Sequence, residues 1–286
     1  MRQRLDALKL KPEEVTHVLY HDPCFDGYGA AWAAHRALGD RAQYIGVNYD
    51  EPVPELPRDA KVAIVDFSYP REKLLALKEQ VADLVVLDHH KTAEEGLQGL
   101  SFAVFEKTRA GAGIAWEYFH PHKAVPALVS YVEDRDLWKW ELPQSREVSA
   151  ALASYPREFS VWNQLDTDLE RLKTEGGAIR RYKDQLVEAT LERVRTGNIR
   201  GYQVPIVNTP AELRSEVGDA MCEKFPEAPF VALYFDDAQG DRKWSLRSRG
   251  EFDATTVART FPGGGGHPQA CGFEQPRANL SEEWLA

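Results

Sequence analysis

The chain is poor in the features that mark a secreted protein, a membrane protein or a protein that grips long nucleic acid. Only three of its 286 residues are cysteine, Cys24, Cys222 and Cys271. They are odd in number and widely spaced, which argues against a disulfide framework. No apolar stretch approaches the roughly 20 residues that a membrane helix needs. The first twelve residues carry charges where a signal peptide would have a continuous apolar core. Positive charge is also short, with 35 Lys and Arg against 45 Asp and Glu, a net charge of −10. Gripping a long duplex by its phosphates takes a large basic surface, so neither long nucleic acid nor a membrane is an expected partner. A short or small anionic substrate, held locally, fits this balance. Internal repeats, coiled-coil heptads and long low-complexity tracts are missing as well. These absences describe a cytoplasmic protein, and 43% hydrophobic with 28% charged residues suits a globular one. A length of 286 residues is more than one compact domain usually has, so two domains are expected.

The most informative residues are Asp88-His89-His90, which follow the apolar run Leu84-Val85-Val86-Leu87. So short a Val/Leu run reads as a buried parallel strand, and ligands bind outside the carboxyl ends of such strands. Two further runs end in the same way. Residues 16–20 lead into His21-Asp22-Pro23-Cys24-Phe25-Asp26, and residues 61–65 end on Asp66. A fourth acidic group, Glu133-Asp134-Arg135-Asp136, follows an apolar stretch at 125–132. Singly, each has a plain alternative; Asp66, for one, could cap a helix starting near Pro70. Together they place carboxylates and imidazoles on one sheet edge, and clustered carboxylates repel unless a cation sits among them.

The spacing of apolar runs predicts an α/β fold. In the N-terminal half, strands at 16–21, 42–49, 61–66, 83–88 and 101–105 alternate with helices at 27–38, 71–80 and 113–119. Alternation of this kind means a mostly parallel sheet flanked by helices. A helical, Trp-rich stretch covers 125–170, and a connecting helix is expected over 178–195, between Gly176-Gly177 and Gly197. A smaller C-terminal α/β domain follows, with strands at 202–207, 230–235 and 243–249 and helices at 212–225 and 255–261. The expected domains are residues 1–196 and 197–286.

The C-terminal domain holds a second constellation, Gly263-Gly264-Gly265-Gly266-His267, set between a helix and the strand-like 270–273. Both flanks look folded, so an anion-binding loop is a better reading than a flexible linker. Glycines let backbone N–H groups approach an anion closely, and His267 can donate to one. Upstream, Lys243, Ser245, Arg247 and Arg249 share one face of a strand. That face is either a phosphate contact or, for Lys243 and Arg249 above all, simply solvated.

With these motifs in this order, the chain resembles the DHH family of phosphoesterases. The likeness runs from His21 to Gly272 and is closest to the branch with the DHH-associated C-terminal domain, which includes bacterial oligoribonucleases. The resemblance implies a site between two domains that holds two Mn²⁺, with Mg²⁺ or Co²⁺ as alternatives. Asp66 would bridge the ions. His89, Asp134 and Asp26 would hold one ion and His21 the other. Asp88 would orient the site, and His90 would face the phosphate. Arg247, Gly264, Gly265, Gly266 and His267 would hold the nucleotide end of the substrate. The implied activity is a phosphodiesterase on short oligonucleotides or dinucleotides, using a hydroxide activated by two metals. Close alternatives are an adenosine 3′,5′-bisphosphate phosphatase, a cyclic-dinucleotide phosphodiesterase and, in another class, a nucleotide sensor without catalysis. The resemblance leaves a homo-oligomer open. One departure stands out: Cys24 occupies the place of an Asp in the family's first motif. Its sulfur is either a soft ligand or a small packing group.

Overall fold

The structure, a computed structural model, describes residues 1–48 and 51–285. The end of the strand expected over 42–49, at Tyr49, lies outside the described residues. The chain divides into two compact units, Met1–Arg180 and Arg181–Ala286. The break expected after residue 196 therefore falls inside the second unit.

The first unit starts with a short helix, α1 (Arg2–Asp6), and then alternates strand and helix. In chain order come β1 (His17–His21), α2 (Phe25–Leu38), β2 (Gln43–Val47), β3 (Lys61–Val65), α3 (Arg71–Gln80), β4 (Asp83–Asp88), α4 (Lys91–Gly96), β5 (Ala103–Phe105) and α5 (Gly111–Phe119). The sheet order is β2-β1-β3-β4-β5, and every pairing is parallel. Strand order reverses between β1 and β3, so the crevice at their carboxyl ends is where a doubly wound sheet binds ligands. Those ends carry His21 and Asp66.

Residues alternate between the two faces of these strands. Ala63, Val65, Val85 and Leu87 pack with α2 and α5 residues such as Trp32, Ile114 and Trp116. Val62, Ile64, Leu84 and Val86 pack on the other side with Leu74 and Leu77 of α3. Burial on both faces explains the unbroken apolar runs that made the strands readable. Four helices complete the unit and enter the next: α6 (Ala127–Asp136), α7 (Ser145–Leu152), α8 (Phe159–Thr167) and α9 (Leu169–Leu191). Helix α9 starts well before residue 178, with Gly176 and Gly177 inside it rather than ahead of it. A Cβ at Gly176 would lie 1.9 Å from the Glu147 carbonyl oxygen, so the glycine permits close approach to α7 instead of breaking the helix.

The second unit adds β6 (Arg195–Ile199), β7 (Tyr202–Asn208), α10 (Arg214–Lys224), β8 (Val231–Asp236), β9 (Arg242–Arg247), α11 (Thr255–Ala258), β10 (Gly265–His267), β11 (Ala270–Gln275) and α12 (Glu282–Leu285). Its sheet has the order β10-β11-β9-β8-β7-β6 and is antiparallel except for β7 with β8. Trp244 and Leu246 face one core with Phe261 and Phe273, while Val231 and Leu233 face another with Val217 and Met221 of α10. No helix among the described residues is long and apolar enough to cross a membrane.

Candidate metal centre

Three strand ends and two helices of the first unit bring acids and imidazoles together. Asp66 follows β3 in a left-handed backbone conformation, φ 55°, which is uncommon for a residue other than glycine. It caps no helix: Pro70 stands at the N-cap of α3. Its carboxylate is 1% exposed, and neither oxygen receives a hydrogen bond. Oδ1 lies 3.2 Å from His89 Nε2, and Oδ2 lies 3.7 Å from His21 Nδ1. The two oxygens thus face two different groups of donors.

On one side are His21, Cys24 and Asp66, with one donor atom each and all three atoms within 4.8 Å of one another. On the other side Asp26, His89 and Asp136 meet the same limit. His89 Nε2 lies 3.6 Å from both Asp26 Oδ2 and Asp136 Oδ2. Burial alone would lower the His89 pKa. Asp66, then Asp136 and Asp26, overcome it and raise the imidazole to about 10. The shift favours the imidazolium, whose charge is set chiefly against the Asp66 carboxylate. Burial pushes the Asp26 carboxyl well above its ordinary range, and Asp66 and Asp136 add to the shift. Asp66 moves the other way: despite burial, His21 and His89 hold it well below. Burial, aided by Asp66, also raises the Cys24 thiol.

Asp26 is held from behind. Gly111 N–H and Ala112 N–H, at the start of α5, donate to its two oxygens at 2.5 and 2.9 Å. The positive end of α5 therefore points at the cluster. Only glycine fits at 111, since a Cβ there would lie 2.5 Å from Asp66 Cβ. Glu133 steadies the same turn, accepting from Ala110 N–H at 3.0 Å and from Arg109 Nε at 2.7 Å.

Asp88 is fully buried and spends its oxygens on local partners. Ser68 Oγ donates to Oδ2 at 2.6 Å, and the N–H groups of His89 and His90 donate to Oδ1 at 2.7 and 3.2 Å. The His90 ring meets the same Oδ1 through Nδ1 at 2.7 Å, which leaves Nε2 as the nitrogen Asp88 does not hold. Burial opposes protonation of His90, but Asp88 outweighs it and raises the pKa.

One expected residue is displaced. Asp134 stands apart from the cluster, and Asp136 occupies the place expected of it. Asp134 accepts from Glu141 N–H at 3.0 Å and from Ser145 Oγ at 2.5 Å, tying α6 to the start of α7. At about 100° per residue, two steps along α6 turn a side chain to the opposite face. Four consecutive acidic or basic residues gave sequence reasoning no way to choose which one faces the strands. Ser68, Glu133 and the Gly111 and Ala112 amides also carried no signal of their own.

The donor set suits a divalent cation. Oxygens of Asp26, Asp66 and Asp136 with imidazoles of His21 and His89 match Mn²⁺ or Mg²⁺, and the Cys24 sulfur would favour a softer ion. The unsatisfied buried oxygens of Asp66 are what a pair of cations would complete.

In the second unit, β10 pairs Gly265 and Gly266 with Gly272 and Cys271, so the glycines form an edge strand rather than a free loop. His267 closes that strand opposite Ala270. Gly264 N–H already donates to Phe261 O at 3.2 Å. On β9, Lys243 is bound to Glu274, while Arg249, just beyond the strand, is bound to Asp219. Arg247 has no carboxylate within 4 Å among the described residues, and its Nη1 donates to Leu246 O at 3.0 Å. Burial, with Arg214 nearby, lowers its pKa to about 10, so it keeps its charge at neutral pH.

No protein-family profile matches the chain. Uncharacterized protein R106 of Acanthamoeba polyphaga mimivirus is 28% identical over 289 aligned positions, covering 91% of this chain and 68% of the viral protein. Among solved structures, RecJ of Thermus thermophilus in complex with Mn²⁺ aligns with 99% of this chain and 52% of its own, at 17% identity and a TM-score of 0.50. PggH of Vibrio cholerae, a pGpG-specific phosphodiesterase, aligns with 91% of this chain and 93% of its own, at 12% identity and a TM-score of 0.49. The chain has the DHH fold, a parallel sheet with flanking helices joined to a second mixed sheet.

Proposed function

We propose that this chain is a metal-dependent phosphodiesterase of the DHH family that hydrolyses short oligonucleotides or dinucleotides. The observation that carries the reading is Asp66, a buried carboxylate whose two unsatisfied oxygens face two separate donor groups. His21, Cys24 and Asp66 would hold one ion; Asp26, His89, Asp136 and Asp66 would hold the other. Bound there, divalent ions would supply an activated water at neutral pH and offset charge on the phosphoryl oxygens. That RecJ, which shares the fold, was solved with Mn²⁺ supports manganese.

The remaining residues prepare the site for an anion. Asp88 holds the His90 ring through Nδ1 and raises its pKa despite burial, which favours the protonated form whose Nε2–H would donate to a phosphoryl oxygen or to the leaving oxygen. The α5 amides hold Asp26 in place. Arg247, Gly264, Gly265, Gly266 and His267 are the proposed contacts to the nucleotide end of the substrate. A pure nucleotide sensor has no use for so complete a donor set.

The test is a panel of di- to pentanucleotides, cyclic dinucleotides and adenosine 3′,5′-bisphosphate, incubated with Mn²⁺ and resolved by chromatography. Cleavage of the shortest linear substrates is expected, with kcat/KM falling as length grows. A kcat/KM that keeps rising beyond about ten nucleotides, the scale of extended single-strand sites, contradicts the reading. So does full activity in Asp66→Ala.

A further inference from the structure

The two helices that begin at the metal cluster end together at a cavity. Helix α2 opens with Phe25 and Asp26, and Arg36, Ala37 and Leu38 at its other end line a cavity of about 510 Å³. Helix α5 opens on the amides that hold Asp26, and Tyr118 and Phe119 at its end line the same cavity. The third wall is the N-terminal segment, between Arg2 and Glu13. Helix α2 has 14 residues, so about 20 Å of helix, at 1.5 Å per residue, set this place apart from the metal cluster. The volume falls within the roughly 300–1,000 Å³ of small-molecule sites, and every lining residue belongs to the first unit.

The cavity reverses the charge of the chain. Five Lys or Arg line it against two acids, whereas the whole chain has 35 bases and 45 acids. One of the two acids, Asp6, accepts from Arg2 Nε at 3.0 Å, and Arg36 is paired at 3.3 Å with Asp166, which does not line the cavity. Lys11, Arg41 and Lys123 form no ion pair among the described residues. Carbonyls at helix ends would repel an anion, but here cations cover them. Arg41 donates to Leu38 O and Ala37 O, each at 3.2 Å, and Arg2 donates to Glu117 O at 2.5 Å. Lys11 donates to Leu8 O at 2.8 Å and to Asp6 O at 3.2 Å. A carbonyl satisfies a donor without neutralising its charge, so these cations keep theirs. The buried His120 registers the result: burial lowers its pKa against the pull of the Ala33 carbonyl, and the charges of Lys123 and Arg36 lower it further.

We propose that this cavity is a second anion site, separate from the metal centre, and that it binds a compact polyphosphate such as a nucleoside triphosphate. Lys11, Arg41 and Lys123 come from three separate segments and line one concavity. A ligand with several adjacent negative charges engages all three, which a single carboxylate or phosphate does not. Arg41 can offer its remaining N–H groups to paired oxygens, and the two lysines act as point charges. None of the proposed metal ligands or substrate contacts lines the cavity, so the site stands whether or not the chain hydrolyses phosphodiesters.

The experiment titrates the full chain, dialysed free of metal, with inorganic triphosphate, ATP and adenosine in a calorimeter at about 0.15 M salt, where the Debye length is about 8 Å. Triphosphate and ATP are expected to bind, and adenosine is not. Lys123→Gln should weaken both polyphosphates about tenfold, the scale of one charged contact. Lys123 is exposed and its side chain makes no hydrogen bond among the described residues, so this variant tests charge without touching the fold. Lys123→Glu should weaken them more, and Lys123→Arg should stay within about threefold of the intact chain. Arg247→Gln, in the second unit, should leave the affinity within about twofold. Failure of both polyphosphates to bind overturns the proposal, as does adenosine binding as tightly as ATP. Binding that Lys123→Gln and Lys123→Glu leave unchanged, or that Arg247→Gln removes, places the anion elsewhere and overturns it equally.

Discussion

Replacing Asp134 and Asp136 one at a time separates a carboxylate that ties α6 to α7 from one proposed to hold metal. Asp134 is 5% exposed and accepts from the Glu141 N–H and the Ser145 hydroxyl. Hydrogen bonds to a charged acceptor contribute roughly 1.5–3 kcal/mol each, and Asp134→Ala removes both while leaving the buried Ser145 hydroxyl without its acceptor. Allowing for the relief of a buried charge, a loss of about 3 kcal/mol is expected, which lowers Tm by roughly 6–12 °C in a domain of this size. Metal stoichiometry and kcat per folded molecule should not change. Asp136→Asn reverses the pattern. It removes one of three donors from the Asp26–His89–Asp136 group. Metal affinity there should fall by more than the roughly 10–100-fold that loss of an outer partner costs. In a chelator, the same variant should keep or raise Tm, because burial already disfavours the charged Asp136 and Asp66 lies beside it. Melting curves in EDTA, paired with metal analysis after Mn²⁺ loading, measure both arms. An Asp134→Ala chain that loses metal yet melts normally would refute the assignment of the two residues.

Three further outcomes follow from the same geometry. His89 is raised from 6.5 to about 10 in the metal-free chain. Its contribution to stability is therefore complete below pH about 6.5 and is lost as pH rises through about 10. Mn²⁺ binding near pH 7.5 should then release a proton that His89→Asn does not release, as calorimetry in buffers of different ionisation enthalpy can count. His90→Ala should retain metal better than His89→Ala, since only His89 stands among three carboxylates; equal loss by metal analysis would mean the roles are misread. Cys24→Asp should shift the activity optimum from Zn²⁺ or Co²⁺ toward Mn²⁺ or Mg²⁺ if the sulfur is a ligand, and unchanged metal preference in both Cys24→Asp and Cys24→Ser would make Cys24 a packing residue.

Much of the first unit could be read from its residues because its strands are buried on both faces. Val62–Val65 and Leu84–Leu87 alternate between two apolar layers, so no polar residue interrupts them, and the acids that follow mark the strand ends. Asp66, His89 and Asp26 gather where those ends predict. Helix-borne residues were harder. Glu133, Asp134 and Asp136 each face a different neighbour, Arg109, Ser145 and His89, and the helix phase that sorts them comes from packing rather than composition. Gly176-Gly177 has the look of a helix boundary, yet lies within α9 because Glu147 passes close by. The glycines at 263–266 read as an anion-binding loop, whereas the ladder with β11 places two of them, Gly265 and Gly266, in a strand. In both places a glycine reports that something comes near, and the sequence does not say what.

The crowding of acids around His89 has a consequence for the life of the molecule. Asp26, Asp66 and Asp136 converge on one imidazole, and one proton is a poorer counter-charge than the divalent cations proposed for the site. Ions that bind only the folded form stabilise it by RT ln(1 + [L]/Kd), about 2.7 kcal/mol at a hundredfold excess over Kd. Loaded and unloaded copies therefore differ in endurance as well as in chemistry. If the proposed ions are scarce, copies without them would open more often and would be the first cleared by proteases. The abundance of the protein would follow the metal supply with no dedicated sensor, because the same carboxylates that fit the chain for hydrolysis make it fragile when they are left without ions.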